Sequence, residues 1–465
     1  MRKWLTIAVV VLGLGALGIY LAADRVLASD AVRAQIEQQL TARLGQPVRI
    51  GSVRASLFPG IAVDLGDVAI GQPEALHLGR IKVLTGLRAL FAETVDIKEI
   101  AVSAGRVIGV QPPFTFDLTA SVLGDRLDVQ SLLVNAPSTT ITGRGTLTSI
   151  AKGQGAFDVR AERLDLNELM AIGAALAPSN QRSAGGPSSA PLPVQITVKT
   201  AAPRVRFGAY EFSDLSTTIE AVPSRFALDP LTLGVFGGKF EGAVRADTRA
   251  AVPVLNLTGA LSGVDVVELL ELSGSSGGIT GRLNATLALT GAGTDSATLL
   301  RSANGTIQST LSNGTLPHLD LVRTIVLAFG KPSGAAPEGS GTAFERLSGT
   351  FALSRGTLRT NDLRLRSRDF DASGRGSLGL ESGAVDAAVD VVLSRDLTAQ
   401  AGTDLRRYAQ EDGRVIVPAT IGGTMTRPSV FIDVAAAAKR ALGNELKRRA
   451  TDFLGGLFKK KKGGG

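Results

Sequence analysis

From residue 47 onward, apolar side chains recur at every second position. Val48, Ile50 and Val53 lead to a turn candidate, Phe58-Pro59-Gly60, and then to Ile61, Val63, Leu65, Val68 and Ile70. A period of two belongs to strands with one buried and one wet face. The pattern runs on, punctuated by turn residues, and predicts a mainly β chain. Ahead of it, Val32, Ile36, Leu40 and Leu44 recur every four residues between Asp30, a candidate cap, and Gly45, a stop signal. That spacing predicts an amphipathic helix, either packed on the end of the β region or lying on a membrane surface. Further helical interruptions are predicted at 166–176, 265–272 and 319–329. Residues 177–193, rich in Ala, Ser, Gly and Pro, and 331–342 read as loops or linkers.

The strand pattern contains an internal repeat. RLDVQSLLVNAPSTTITGRGTLT (126–148), RFALDPLTLGVFGGKFEGAVRAD (225–247) and TLRTNDLRLRSRDFDASGRGSLG (357–379) superimpose without gaps. Leu127, Phe226 and Leu358 start the copies, Leu132, Leu231 and Leu363 come five residues later, and Val134, Leu233 and Leu365 two after those. A turn follows at Pro137-Ser138, Gly237-Gly238 or Arg368-Asp369, and the returning strand brings Ile141, Phe240 or Ala372. A step of five changes parity, so each copy is a hairpin with a bulge or tight turn inside its first strand. Within the returning strands, Ile141, Gly143, Gly145 and Leu147 fall on one face, as do Ala372, Gly374, Gly376 and Leu378. Arg144 and Arg375 fall on the other. The helical segments are too few to cover so much apolar face. Either the sheet folds against itself as a sandwich, or it curls into a trough filled by an apolar ligand.

Charge and composition change the picture at the two ends. Residues 4–23 contain no charged side chain and follow Arg2 and Lys3. A helix of that length rises about 30 Å, which predicts an uncleaved signal anchor with the N-terminus cytoplasmic; a cleaved signal peptide is the alternative. GLGALG within this stretch matches a dinucleotide fingerprint, but no strand precedes it and no acidic partner follows. At the other end, 434–465 holds nine Lys and Arg against Glu445 and Asp452, and so most of the chain's formal net charge of +8. Apolar Val434, Ala438, Leu442, Leu446, Phe453, Leu454, Leu457 and Phe458 run through it at helical spacing. The segment reads as a basic amphipathic helix, either plugging the β array or touching an anionic surface. Lys439, Arg440, Lys447, Arg448, Lys459 and Lys460 are its membrane-surface candidates.

Little points to chemistry. There is no cysteine, which excludes disulfides, Cys-ligated zinc and a thiol nucleophile. His77 and His318, the only histidines, have no metal-ligand spacing. No phosphate loop or nucleophile elbow is present. The expectation is a non-enzymatic protein with no cofactor, no metal and no nucleic-acid partner.

A family resemblance gathers these features. ITGRLNATLALTGAGTDSATLLRSANGTIQSTLSNGTLPHLDLV (279–322) resembles the C-terminal module of the AsmA family. LGQPVRIGSVRASLFPGIAVDLGDVAIG (44–71), after the anchor and amphipathic helix, resembles its start, and VPATIGGTMTRPSVFIDV (417–434) its end. The resemblance implies an inner-membrane protein, single-pass, with the bulk of the chain in the periplasm of a Gram-negative bacterium. It implies an N-terminal transmembrane helix, then an elongated, twisted antiparallel β groove with a few short helices and a C-terminal amphipathic helix. The expected divisions are the anchor (1–23), an N-terminal β region (24–176), a linker (177–194), a C-terminal β region (195–433) and the basic tail (434–465). Phospholipid is the implied ligand, carried toward the outer membrane, with the inner membrane contacted through residues 4–23 and an inner- or outer-membrane protein as a further candidate partner. The alternative is an envelope scaffold or outer-membrane protein assembly factor with a dry β core. Candidate groove residues are Leu127, Val129, Leu132, Val134, Ile141, Gly143 and Leu147 from the first copy. The second contributes Phe226, Leu228, Leu231, Leu233 and Phe240, and the third Leu363, Leu365, Gly374 and Leu378.

Overall fold

The computed structural model describes residues 30–44, 46–56, 61–72, 74, 76–85, 96–108, 114–176, 195–272, 278–328, 341–400, 413–433, 435–436 and 439. The expected anchor (4–23), the turn at 58–60, Gly45, the linker 177–194 and most of the basic tail lie outside them. Among the described residues no helix is long and apolar enough to cross a membrane. The chain divides into two compact units. One comprises Met1–Leu233 with Arg245–Ala251, the other Gly234–Val244 with Val252–Gly465.

The first unit opens with helix α1 (Asp30–Leu44) and continues through β1 (Val48–Ser56), β2 (Ile61–Ile70), β3 (Leu76–Thr85), β4 (Asp96–Val107), β5 (Phe114–Leu123), β6 (Arg126–Asn135), β7 (Thr140–Ser149) and β8 (Gln154–Asp165). Each strand pairs antiparallel with the next. Helix α2 (Leu166–Leu176) follows, then β9 (Gln195–Phe207) and β10 (Tyr210–Val222). β9 runs parallel to β8, from Gln154↔Gln195 to Asp165↔Arg206. The expected antiparallel array is departed from at this pair. A parallel neighbour needs a crossover of a dozen or more residues, and α2 with 177–194 supplies it.

Period two is visible in the burial of these strands, and the helices cover the apolar face at particular places. Ile36 and Leu40 of α1 pack on Val48, Ile50, Val53, Leu65 and Val68. The same helix closes the free edge of β1: the Val48 N–H donates to the Thr41 hydroxyl (3.0 Å) and the Ile50 N–H to the Glu37 carboxylate (2.6 Å). An edge strand whose N–H groups are taken does not recruit another strand. Of the two readings of this helix, the structure shows the packed one. Ile172 of α2 is buried with Val107, Phe114 and Val134. Asp165 caps α2 by accepting from the Asn167 N–H (2.9 Å), while its own N–H donates to the Thr139 hydroxyl (3.0 Å) in the turn between β6 and β7. Thr139 is fully buried, so Thr139→Val strands the Asp165 N–H. We expect a loss of about 1–3 kcal/mol, measured by urea unfolding.

The second unit takes up most of β12 (Gly238–Asp247), β13 (Val254–Asp265), helix α3 (Val266–Leu272), β14 (Arg282–Ala292), helix α4 (Ser296–Ser302), β15 (Asn304–Leu316), helix α5 (Leu321–Ala328), β16 (Thr342–Ser354), β17 (Thr357–Arg366), β18 (Phe370–Gly379), β19 (Val385–Leu393), helix α6 (Arg395–Gln400), β20 (Ile416–Thr424) and β21 (Arg427–Ile432). β13 to β21 form one antiparallel meander in chain order. With every neighbour edge to edge, these nine strands form one continuous ladder. β11 (Arg225–Val235) lies in the first unit except for its last two residues. The turn after it falls at Phe236 and Gly237, both with positive φ, and not at Gly237-Gly238; Gly238 already belongs to β12. Two successive positive φ values suit the right-handed twist of the flanking strands.

Val391, Val415 and Val417 are fully buried, with Phe370, Leu393, Leu321 and Ile325 nearly so. All belong to one cluster, in which Val266 of α3 and Leu321 and Ile325 of α5 lie against the inward residues of β16 to β21. Short helices between strands therefore do cover apolar sheet face, contrary to the expectation from their number. Each buried aliphatic side chain contributes about 1.5–3 kcal/mol.

Candidate functional site

The repeat has the register its parity step demands. In the first copy Val129 faces Gly145 and Leu132 faces Gly143, so Gln130 and Ser131 together oppose Arg144. In the third, Thr360 faces Gly376 and Leu363 faces Gly374, so Asn361 and Asp362 oppose Arg375. The Gly-Arg-Gly phrase is the strand segment opposite a bulge, with an exposed arginine at its centre. In the third copy the bulge is tied down by Asp362, which accepts from the Thr350 N–H (2.7 Å) and the Thr360 hydroxyl (2.8 Å). The same two bonds, the Thr350 N–H first, hold the Asp362 carboxyl below the usual carboxylate range.

What lies over the glycines differs between copies. A Cβ on Gly145 would stand 2.4 Å from Cδ1 of Phe157, its register partner. Gly105 and Phe116 make the same directly paired contact, as do Gly314 and Phe344. A phenyl ring laid across a cross-strand glycine restores the packing the glycine lacks. In the third copy the partner of Gly376 is Ala387, and no ring is supplied. The space is an apolar pocket of 270 Å³.

Its floor is the inward face of β16 to β20, including Leu363, Leu365, Ala372, Gly376, Leu378 and Ala387. Leu319 and Leu321, leading into α5, wall one end, with Ile279 and Leu316 beside them. Phe351 and Leu358 stand at the other, and Met425 lies over Gly278 at the side. Thr360, His318 and Ser377 are its polar lining groups. The pocket begins where the helical cover ends. Along β18, Phe370 is 2% and Ala372 8% exposed beside α5, whereas Gly376 and Leu378 are only half-buried.

The candidate groove residues do not all meet. Leu363, Leu365 and Leu378 line the pocket; Gly374 lies between them without lining it, pressed against the Ala388 carbonyl of β19. Leu132, Val134 and Ile141 pack under Leu169 and Ile172 of α2. Leu127 and Leu147 are half-buried register partners, as Val129 and Gly145 are, and Gly143 touches Leu132. Leu231 is buried and Leu228 and Leu233 half-buried in the first unit, and Phe226 is 41% exposed. Phe240, in the second unit, lies on Gly242 and Gly259. Sequence reasoning missed Leu316, Leu319, Leu347, Phe351, Ala387 and Met425. They are outside the repeat copies; cross-strand register brings in Leu316, Leu347, Phe351 and Ala387, and the connections after β15 and β20 bring in Leu319 and Met425. Of the membrane-surface candidates, Lys439 is helical and exposed, behind Asp433, which accepts the Ala436 N–H (2.7 Å). Arg440, Lys447, Arg448, Lys459 and Lys460 lie outside the described residues.

Among the described residues no group of three or more His, Asp or Glu could hold a metal ion. His77 pairs with Glu74 (3.0 Å) and lies 3.9 Å from Asp67, while His318 faces the apolar pocket. The chemistry available at this site is the burial of an apolar group beside a few polar atoms.

No curated protein and no solved structure matches the chain. Residues 191–363 match the model of the AsmA family, a span running from β9 to β17 and including the α5 wall of the pocket. Over that segment the chain is similar to the AsmA family.

Proposed function

We propose that the protein is a non-enzymatic, inner-membrane-anchored periplasmic lipid carrier. In this reading residues 4–23 hold it in the membrane, and the apolar sheet face receives phospholipid acyl chains on their way toward the outer membrane. The observation that carries the reading is the pocket itself, whose lining is apolar apart from Thr360, His318 and Ser377. The match of residues 191–363 to the AsmA family and the open β ladders support it. At 270 Å³ the pocket takes part of one acyl chain. Each methylene buried there is worth about 0.8 kcal/mol, less the cost of ordering the chain. Movement along the face is passive, because a methylene leaving one apolar position enters another.

The test is photocrosslinking in native membranes with a phospholipid carrying a photoreactive acyl chain, mapped by peptide mass spectrometry. Labelled peptides from 342–379 and 385–425 are expected. Label confined to residues 4–23, or none, overturns the reading in favour of a dry envelope scaffold.

A further inference from the structure

The polar face of the second unit carries a concentration of arginine that lipid binding on the opposite face does not use. Arg346 of β16 and Arg366 of β17 are direct cross-strand partners. Like charges opposed in this way destabilise a sheet, so the pair calls for an anion. Arg364, two residues along β17, shares the same face, and Ser348 and Ser373 flank it on the neighbouring strands. These side chains line a depression of 390 Å³. A second depression, of 420 Å³, shares Arg366 and adds Arg368, Arg395 and Arg414. Six guanidiniums thus line two depressions that have two residues in common, Arg366 and Asp371. Asp371 is the single carboxylate in either lining, and it is already shared, 3.3 Å from Arg414 and 3.9 Å from Arg366. One carboxylate thus stands in linings that hold six arginines, and Arg366 keeps 72% of its side chain exposed.

We propose that this double depression is a binding site for a phosphate-type oxyanion. Guanidinium forks pair with phosphate oxygens through two parallel N–H···O bonds, a geometry that lysine cannot supply. Here the arginines come from two adjacent strands, from the turn between β17 and β18, from the start of α6 and from the approach to β20. Several forks can therefore meet one multiply charged group. Arg346, Arg364 and Arg366 alternate along their strands with Leu347 and Leu365, which line the apolar pocket, so these arginines leave the other face of the sheet and the site stands or falls independently of the lipid reading.

The experiment is hydrogen–deuterium exchange on the full chain, with Arg346→Gln/Arg366→Gln as the test variant. Arg375→Gln, on the same face but outside both depressions, is the control. Both substituted arginines are exposed, and circular dichroism confirms that the variants fold. The chain is titrated with inorganic phosphate in neutral detergent, and separately placed in nanodiscs of phosphatidylcholine with or without phosphatidylglycerol. Protection of amides in 342–373 and 392–396 by phosphate, needing at least about tenfold more phosphate in the double variant but not in the control, assigns the site to a free oxyanion. Protection by phosphatidylglycerol alone, lost in the double variant, assigns it to a lipid head group. No protection from either probe, or protection that persists in the double variant, overturns the proposal. Sodium chloride at 0.5 M should weaken whichever binding is seen.

Discussion

Gly374→Val is expected to destabilise the second unit by about 3 kcal/mol, whereas Gly143→Ala, at the same position of the first repeat copy, is expected to change stability by less than about 0.5 kcal/mol. Both glycines open a Gly-Arg-Gly phrase and both face a leucine across a bulge. Their surroundings differ. A Cβ on Gly374 would lie 2.1 Å from the Ala388 carbonyl oxygen and 2.8 Å from the Val389 Cα. Those are backbone atoms, and they yield only if the ladder between β18 and β19 shifts. That ladder carries Val389 and Val391, which are buried in the cluster beneath α5. A Cβ on Gly143 would meet Leu132 side-chain atoms and the Asp158 carbonyl at 3.6–3.7 Å, ordinary contact distances. Alanine there also narrows the unfolded ensemble, which tilts the change toward stabilisation. Thermal melts read the difference. At about 2–4 °C per kcal/mol for a unit of this size, Gly374→Val should lower the midpoint by about 6–12 °C. Equal effects at the two positions would show that the copies are packed alike.

That contrast marks where sequence reading stops. The bulge was legible, because a five-residue step between Leu127 and Leu132, or Leu358 and Leu363, cannot keep both leucines on one face of a regular strand. Helix 166–176 was legible too, as a helical interruption of the strand pattern. The helices at Ser296–Ser302 and Arg395–Gln400 went unread because they hold few apolar residues, whereas the equally short Val266–Leu272 holds Val266, Val267, Leu269, Leu270 and Leu272. The parallel pairing of β8 and β9 was invisible for another reason: side-chain alternation is the same in both strand directions. The pocket was the least legible feature. Its cause is that Ala387, and not a phenylalanine, stands opposite Gly376, and that relation exists only once β18 and β19 are in register.

Ala387→Phe tests that cause directly. The substitution rebuilds in the third copy the pair that Gly145 and Phe157 make in the first, with the same register between the partners. The new ring would lie across Gly376 and into the 270 Å³ of apolar space above it. It adds no charge and buries no polar atom, so a lost function cannot be blamed on the desolvation that Leu363→Asp would bring. Filling an apolar cavity should hold or raise the melting temperature; a fall by overpacking would be limited to about 1–3 kcal/mol. Crosslinking of acyl-chain-labelled phospholipid to peptides within 342–425 should drop at least about tenfold, equivalent to about 1.4 kcal/mol of binding free energy. Ala388→Phe, one residue along and facing solvent, should leave it unchanged. A folded Ala387→Phe protein that still takes the label at these peptides would mean that acyl chains, if they bind, lie elsewhere on the sheet. Equal losses in the two variants would trace the effect to β19 itself. Only a loss confined to Ala387→Phe ties lipid binding to the missing ring.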